Sequence, residues 1–311
     1  MNKDIIFLTP VCTHNIWGGT RLNREFGYPI EGDDIGECWG ISAHPNGDGT
    51  VASGAYKGMK LSELWEKHPE LFGDTGMDRF PLLIKIIDAK DDLSIQVHPD
   101  EAYAKVHENG SLGKTECWFI LDCKENATLV VGHNAKTKEE LEQMIHEGRW
   151  KEFIREIPIK PGDFIQIDPG TVHAIKGGTL LLETQQSSDI TYRVYDYDRL
   201  SNGKPRQLHI TQSIDVITVP AKSAENSVVH TEKKDDAIQQ LICCPYYTVY
   251  RIDVEHRVET WQDKPFVLMS VVEGEGTLNG TPLKKGDHLI LPDGYGKVEL
   301  QGRMQIIAST I

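Results

Sequence analysis

The sequence predicts a mainly β protein: two jelly-roll β-barrels carrying small helical insertions. Three observations predict it. Most segments are short, rich in β-branched residues and punctuated by Gly, Pro, Asn and Asp. Only two stretches break into helical spacing, and a turn-strand-turn pattern occurs twice, once in each half of the chain.

The strands come first. Leu83 to Asp88, Ala127 to Gly132, Thr179 to Thr184, Tyr247 to Val254, Phe266 to Glu273 and Met304 to Ala308 each read as one extended run bounded by turn residues. The helical stretches are Lys60 to Phe72, where Leu61, Leu64 and Trp65 line one side, and Thr137 to Ile157. In the second, Leu141, Met144, Ile145, Phe153 and Ile154 recur at helical intervals, and Thr137 with Glu140 forms a capping-box signature. Both are expected to pack as insertions on the β scaffold.

The repeat sets the domain count. Gly162-Asp163, a β run and Pro169-Gly170-x-x-His173 are echoed by Gly286-Asp287, a β run and Pro292-x-Gly294-x-x-Lys297. The second copy fits G-x5-P-x-G-x2-H, a cupin signature, with Lys297 in the histidine's place; the first has one extra residue before its proline and keeps the histidine. Each Gly-Asp opens a turn into a strand, and the following turn aims a side chain into a barrel mouth. Two cupin-type barrels follow, residues 1–220 and 235–311, the first with a ligand and the second without. The polar stretch between Val219-Pro220 and Lys234-Asp235, including Ala221 to Asn226, is the expected linker.

Composition narrows the class of function. The 311-residue chain carries 33 Lys and Arg against 47 Asp and Glu, a net charge of −14, which disfavours nucleic acid and anionic membrane as partners. A small phosphorylated substrate needs only a few local cations. The apolar run before Pro10 is too short for a signal h-region or a membrane span, so a cytoplasmic location is expected. Cys12, Cys38, Cys117, Cys123, Cys243 and Cys244 show no C-x-x-C pair, and reduced, mostly buried thiols are expected.

Against that background, Gln96-Val97-His98, Glu116 and His173 outline a metal site. Strand residues alternate, so Gln96 and His98 share a face, as do Lys114 and Glu116. Glu116 is followed by Cys117, Trp118, Phe119 and Ile120, and a carboxylate buried among them needs a counter-charge or a metal. A salt bridge is the competing role. The other ten of the 12 histidines, among them His288, read as surface or packing residues. Two histidines and a glutamate also match an Fe(II) facial triad. Gln96 as a fourth, oxygen donor fits a redox-inert Lewis acid such as Zn²⁺ better.

The motifs carry a specific resemblance. Leu93-Ser94-Ile95-Gln96-Val97-His98-Pro99-Asp100, Gly113-Lys114-Thr115-Glu116, Gly170-Thr171-Val172-His173-Ala174, and Glu183 leading to Ser188-Asp189-Ile190-Thr191-Tyr192-Arg193 resemble the type I mannose-6-phosphate isomerases in their short bacterial form. Ile16-Trp17-Gly18-Gly19 and Gly36-Glu37-Cys38-Trp39-Gly40-Ile41-Ser42 fit the same family. The resemblance spans about Pro10 to Arg193; Val219 to Ile311 supports a cupin-like companion. It implies one Zn²⁺ per chain held by Gln96, His98, Glu116 and His173, with Arg193 as the catalytic arginine. It also implies that Lys85, Ser94 and Lys114 line the sugar-phosphate pocket and that Glu183 is an active-site acid. One extra residue separates His173 from Glu183 relative to longer members, whose helical domain is here reduced to Thr137 to Ile157.

The implied chemistry interconverts mannose 6-phosphate and fructose 6-phosphate through an enediol, by moving a proton between C1 and C2. That needs a base, a polarised carbonyl and a stabilised oxyanion, and no redox cofactor. Glu183 and Lys114 both remain open as the proton carrier. Lys114 and Arg193 have structural ion pairing as their alternative role, and Ser94 and Lys85 solvent contact. Two other classes compete: a cupin oxygenase and a non-catalytic sugar-binding module. The chain is expected to act as a monomer or weak homo-oligomer.

Overall fold

Strands buried on both faces form the centre of the molecule. Leu82–Ala89 and Thr179–Gln186 are buried along their whole lengths, and they pair antiparallel with Glu183 opposite Lys85 and Leu182 opposite Ile86. The apolar residues of Leu82–Ala89, broken only by Lys85 and Asp88, suit a strand covered above and below, whereas Thr179–Gln186 is apolar from Leu180 to Leu182 and buries polar side chains beyond. The computed structural model describes residues 4–224 and 227–311. Met1 to Lys3 of the N-terminal run and Glu225 and Asn226 of the expected linker lie outside the described residues.

The fold is mainly β, as the turn punctuation predicts. Among the described residues, the central pair belongs to a seven-stranded sheet ordered Val228–His230, Asp163–Ile167, Glu116–Cys123, Thr179–Gln186, Leu82–Ala89, Val11–Gly19, Ile35–Ile41. A five-stranded sheet runs Tyr192–Tyr195, Ile95–Val97, His173–Ala174, Thr128–His133, Ile154–Pro158. A nine-stranded sheet contains the strands from Ala237 onward, and also Ile6–Thr9 and Thr50–Val51. Ile6–Thr9 pairs with His288–Leu291, Ile6 opposite Ile290, so the first described strand completes the last sheet.

The helical stretches are shorter than their periodicity predicts. Lys60 to Phe72 divides into an α-helix, Leu61–Lys67, and a 3₁₀ turn, Pro69–Phe72, because Pro69 disfavours helical backbone at His68. Trp65 and Phe72 then stack against Phe80 and Phe266, with ring centroids 5.0 to 6.0 Å apart, joining this insertion to the C-terminal sheet. Thr137 to Ile157 yields Lys138–His146, Trp150–Phe153 and then a strand, Ile154–Pro158. Gly148, with φ of 66°, ends the first helix in the left-handed region. Only half of the expected capping box forms: Glu140 N donates to Thr137 Oγ1, whereas the Glu140 carboxylate accepts from Lys136 N.

The sequence repeat is also a repeat of hydrogen bonds. Gly162 and Gly286 take φ of 89° and 93°, and each following aspartate accepts from a backbone N–H three residues earlier, Lys160 N to Asp163 Oδ2 at 2.9 Å and Lys284 N to Asp287 Oδ2 at 2.8 Å. In the second turns, Gly170 and Gly294 both have positive φ. The outcomes differ at the ligand position. His173 is fully buried, whereas Lys297 is exposed and pairs with Glu259 and Glu299.

Of two expectations about polar residues, one needs amendment and one holds. The cysteines are unpaired, but among them only Cys38 and Cys117 are buried; Cys12, Cys123 and Cys244 are half-buried and Cys243 is exposed. Cys243 ends a strand at the sheet edge. His288 is a packing residue between the two ends of the chain: Nε2 meets Tyr28 OH at 2.7 Å and Nδ1 meets Ser270 Oγ at 2.8 Å.

Burial pushes the His288 imidazole down to about 3, so the folded state holds it neutral. A group depressed in this way stabilises the fold above its unfolded value and loses that contribution as pH falls. Between pH 6.5 and 3, His288 is therefore expected to cost up to about 1.4 kcal/mol of stability per pH unit. Urea unfolding of the protein and of His288→Gln at pH 7 and pH 5 checks this. The stability advantage of the parent should shrink by about 2 kcal/mol across that interval.

Candidate metal centre and active-site cavity

Two sheets bring the predicted ligands together. Glu116 opens a strand of the seven-stranded sheet, whereas Gln96 and His173 are direct cross-strand partners in the five-stranded sheet. His98 follows Gln96 by two residues, so both face the space between the sheets. Arg193 pairs with Gln96 from the other side, which sets the guanidinium beside the ligands.

The geometry is tight. His98 Nε2 lies 3.1 Å from His173 Nε2, 3.3 Å from Glu116 Oε2 and 3.0 Å from Lys114 Nζ. His173 Nε2 lies 3.4 Å from Glu116 Oε1 and 3.2 Å from Gln96 Nε2. One ligand atom from each of His98, Glu116 and His173 falls within 4.8 Å of the other two. His173 Nδ1 donates to Thr171 O at 2.8 Å, which fixes the tautomer and leaves the Nε2 lone pair facing the cluster. Gln96 presents its amide nitrogen; a half-turn of the amide presents oxygen instead.

These groups fit a divalent cation. Both Glu116 oxygens are buried and receive no hydrogen bond, although Lys114 Nζ lies 2.9 Å from Oε2. Burial opposes the carboxylate charge, but the Lys114 ammonium leads the groups that oppose it, and Glu116 is held well below its usual range. Burial and Lys114 drive His98 down to about 3, and burial lowers His173 as well. Neutral imidazoles and an ionised carboxylate are the protonation states a metal requires. Lys114 is held against Glu116, so the ion-pair role weighed for it and the ligand role of Glu116 meet at the same carboxylate.

Beside this cluster lies a cavity of about 170 Å³ lined by Lys85, Ser94, Gln96, Lys114, Glu183 and Arg193, among others. Lys85 Nζ lies 3.5 Å from Glu183 Oε1 and 3.8 Å from Glu37 Oε2. Burial would lower the Lys85 ammonium, yet Glu37, Glu183 and Glu116 raise it. Glu183 accepts from Trp118 Nε1 at 3.0 Å through one oxygen and leaves the other without a hydrogen bond. Burial and the Glu116 charge raise its pKa, so this carboxyl holds a proton more readily than an exposed one. Ser94 Oγ sits 3.5 Å from Gln96 Oε1. Arg193 Nε is buried without a partner, and burial together with Arg206 pushes the guanidinium below its usual value.

Six of the predicted site residues therefore line one cavity, while His98, Glu116 and His173 form the buried cluster in contact with its Gln96 and Lys114. The same cavity brings in Glu37, Trp39, Asp189 and Arg206, which the sequence reading did not assign to the site. Glu37 and Trp39 carried a usable signal, since alternation puts both on one face of Ile35–Ile41; Trp39 Nε1 donates to Glu37 at 2.6 Å. A wider depression of about 710 Å³ lies around Arg79, Lys105 and Tyr246. Its ionisable groups Asp78, Arg79, Glu101 and Lys105 are all at least partly exposed, unlike the convergent buried set around His98. Among the described residues, no helix is long and apolar enough to cross a membrane.

Comparison with known proteins agrees with this geometry. Residues 5–119 match the model "Phosphomannose isomerase type I, catalytic domain", and residues 237–311 match "Mannose-6-phosphate isomerase, cupin domain". The chain is 51% identical to mannose-6-phosphate isomerase ManA of Bacillus subtilis, across 99% of both chains. It is 48% identical to a mannose-6-phosphate isomerase of Streptococcus mutans, over 98% of this chain and 97% of the relative. A crystal structure of the mannose 6-phosphate isomerase from Bacillus subtilis superposes with a TM-score of 0.92 at 49% identity, covering 99% of each chain.

Proposed function

The chain belongs to the type I mannose-6-phosphate isomerases, and on that premise we propose that it interconverts mannose 6-phosphate and fructose 6-phosphate with the cavity beside His98 as its active site. The observation that carries the reading is the convergence of His98, Glu116 and His173 beside a cavity lined by the half-buried Arg193, whose Nε is buried without a hydrogen bond. Gln96, His98, Glu116 and His173 would hold one Zn²⁺. When bound, the ion supplies Lewis-acid polarisation of a sugar oxygen.

The protein's own groups do the rest. Arg193, cationic throughout the working pH range, stabilises negative charge developing on oxygen as the enediol forms. Low exposure strengthens that attraction, because little water screens it. The proton travels between C1 and C2 on Glu183 or Lys114. Glu183 has a raised pKa and an oxygen without a hydrogen bond, 3.5 Å from Lys85 Nζ, which suit a carrier that must both take and return a proton. Lys114 is held against Glu116 and His98, which suits it to orienting the site. Lys85, tied to Glu37 and Glu183, and Ser94 shape the sugar pocket.

The same reading extends to architecture. Two jelly-roll barrels, residues 1–220 and 235–311, are supported by the shared turn geometry and by the cupin-domain match at 237–311. The second barrel would lack metal ligands, since Lys297, in the histidine's place, pairs with Glu259 and Glu299. A net charge of −14 supports a small sugar phosphate over nucleic acid or anionic membrane as the partner, and the proposed enzyme is cytoplasmic and a monomer or weak homo-oligomer.

A coupled assay of mannose 6-phosphate conversion, with metal analysis on the same sample, tests the proposal. Turnover with about one equivalent of zinc, abolished by chelation and restored by the metal, is the expected result. Full activity after exhaustive chelation would remove the metal from the reaction. In deuterated water, Glu183→Gln is expected to lose label exchange at the substrate carbon while Lys114→Met retains part of it. The reverse pattern assigns the proton to Lys114.

A further inference from the structure

We propose that Arg206 seats the phosphate of the substrate in the cavity beside the metal ligands. This rests on the isomerase reading and assigns a residue that its motifs do not contain. Arg206 lines the cavity from beyond a small hairpin, Leu200–Ser201 with Lys204–Pro205. Asn202 and Gly203, with φ of 51° and 76°, form its two-residue turn.

The base of the hairpin is fixed by one carboxylate. Asp196, buried, accepts from Arg206 Nε at 2.7 Å and from Arg206 Nη2, and it also accepts from Arg199 Nη2 at 2.7 Å. Arg199 turns its remaining edge onto Asp92 O. Arg206 is gripped along one edge, and its Nη1 makes no hydrogen bond among the described residues. A guanidinium held this way is oriented before any ligand arrives, which limits the entropy lost on binding.

Charge accounting separates Arg206 from the other cations of the cavity. Lys85 is matched by Glu37 and Glu183, and Lys114 by Glu116. Arg193, Arg199 and Arg206 have a single carboxylate, Asp196, among them, and Arg193 has no ion pair among the described residues. With Asp189, which lines the same cavity, the three guanidiniums face two carboxylates, so this corner keeps a surplus of positive charge in a chain of net charge −14. Arg206 raises the cost of the Arg193 charge, a repulsion that a dianion between or beside them would relieve. Arg193 sits next to Gln96 in the sheet, at the metal end. Arg206 is left to take the phosphate while C1 and C2 face the ligands.

Arg206→Gln and Arg206→Lys, with the parent protein, test this by steady-state kinetics and by calorimetric titration with inorganic phosphate. The Gln variant is expected to raise KM for mannose 6-phosphate and the phosphate dissociation constant together, by about 10- to 100-fold, with kcat within about threefold of the parent. The Lys variant should recover part of both. An unchanged phosphate dissociation constant, or a fall in kcat with KM unaltered, would overturn the assignment and leave Arg206 as a brace for the hairpin. Phosphate binding is measured without turnover. A parent that binds phosphate through Arg206 but does not isomerise mannose 6-phosphate therefore refutes the function proposed above and not the seat.

Discussion

Arg193→Ala is expected to lower kcat by about 10³-fold while the protein keeps its full complement of metal and its thermal stability. The two halves of that expectation have one cause. Arg193 is half-buried with no ion-pair partner among the described residues, and its Nε has no hydrogen bond. Burial and the neighbouring Arg206 both disfavour its charge. Such a group costs stability in the resting protein, so its removal should leave the melting temperature level or slightly higher. Its value is realised only when negative charge develops beside it. Kinetics, metal analysis and a melting curve on one preparation check the three parts together. Retained activity removes Arg193 from the reaction; a large loss of metal would make it a support for the ligands instead.

His173→Ala is expected to have the other large effect, with metal and activity lost together. His173 is fully buried, its Nδ1 is committed to Thr171 O, and its Nε2 faces both His98 and Glu116. Removing the imidazole deletes one ligand and leaves the buried Glu116 carboxylate short of a neighbour. Metal affinity should fall by more than about 100-fold, a larger loss than removal of an outer partner of a ligand causes. Equilibrium dialysis against zinc, with activity assayed at each concentration, checks it. If activity survives at zinc levels that leave the variant empty, the cluster is a structural element.

The site was legible in the sequence wherever alternation and short spacing decide geometry. Gln96 and His98 are two residues apart at the end of the strand Ile95–Val97, and Lys114 and Glu116 two apart at the start of Glu116–Cys123, so extended backbone of period two was enough to anticipate their convergence. The repeated Gly-Asp turns were legible for the same reason, because their hydrogen bonds close within three residues. Thr137 to Ile157 shows where periodicity stops informing. Apolar spacing continues past Gly148, but the backbone there turns left-handed and Ile154 enters a strand beside Thr128–His133. Arg206 was not legible at all. Its place depends on a hairpin and on a carboxylate ten residues earlier, neither of which a charge pattern discloses.

The antiparallel pairing of Ile6–Thr9 with His288–Leu291 bears on how the chain comes to be folded. During synthesis the opening strand can meet Thr50–Val51 early, but its other edge emerges long before its partner and must wait, unpaired, for nearly the whole polypeptide to leave the ribosome. Contacts this remote in sequence form late and slowly, and the waiting edge is open to wrong partners meanwhile. A fragment ending at residue 220 would hold that strand in the same unfinished condition permanently, so the portion bearing the metal ligands is expected to need the rest of the chain to reach a soluble state.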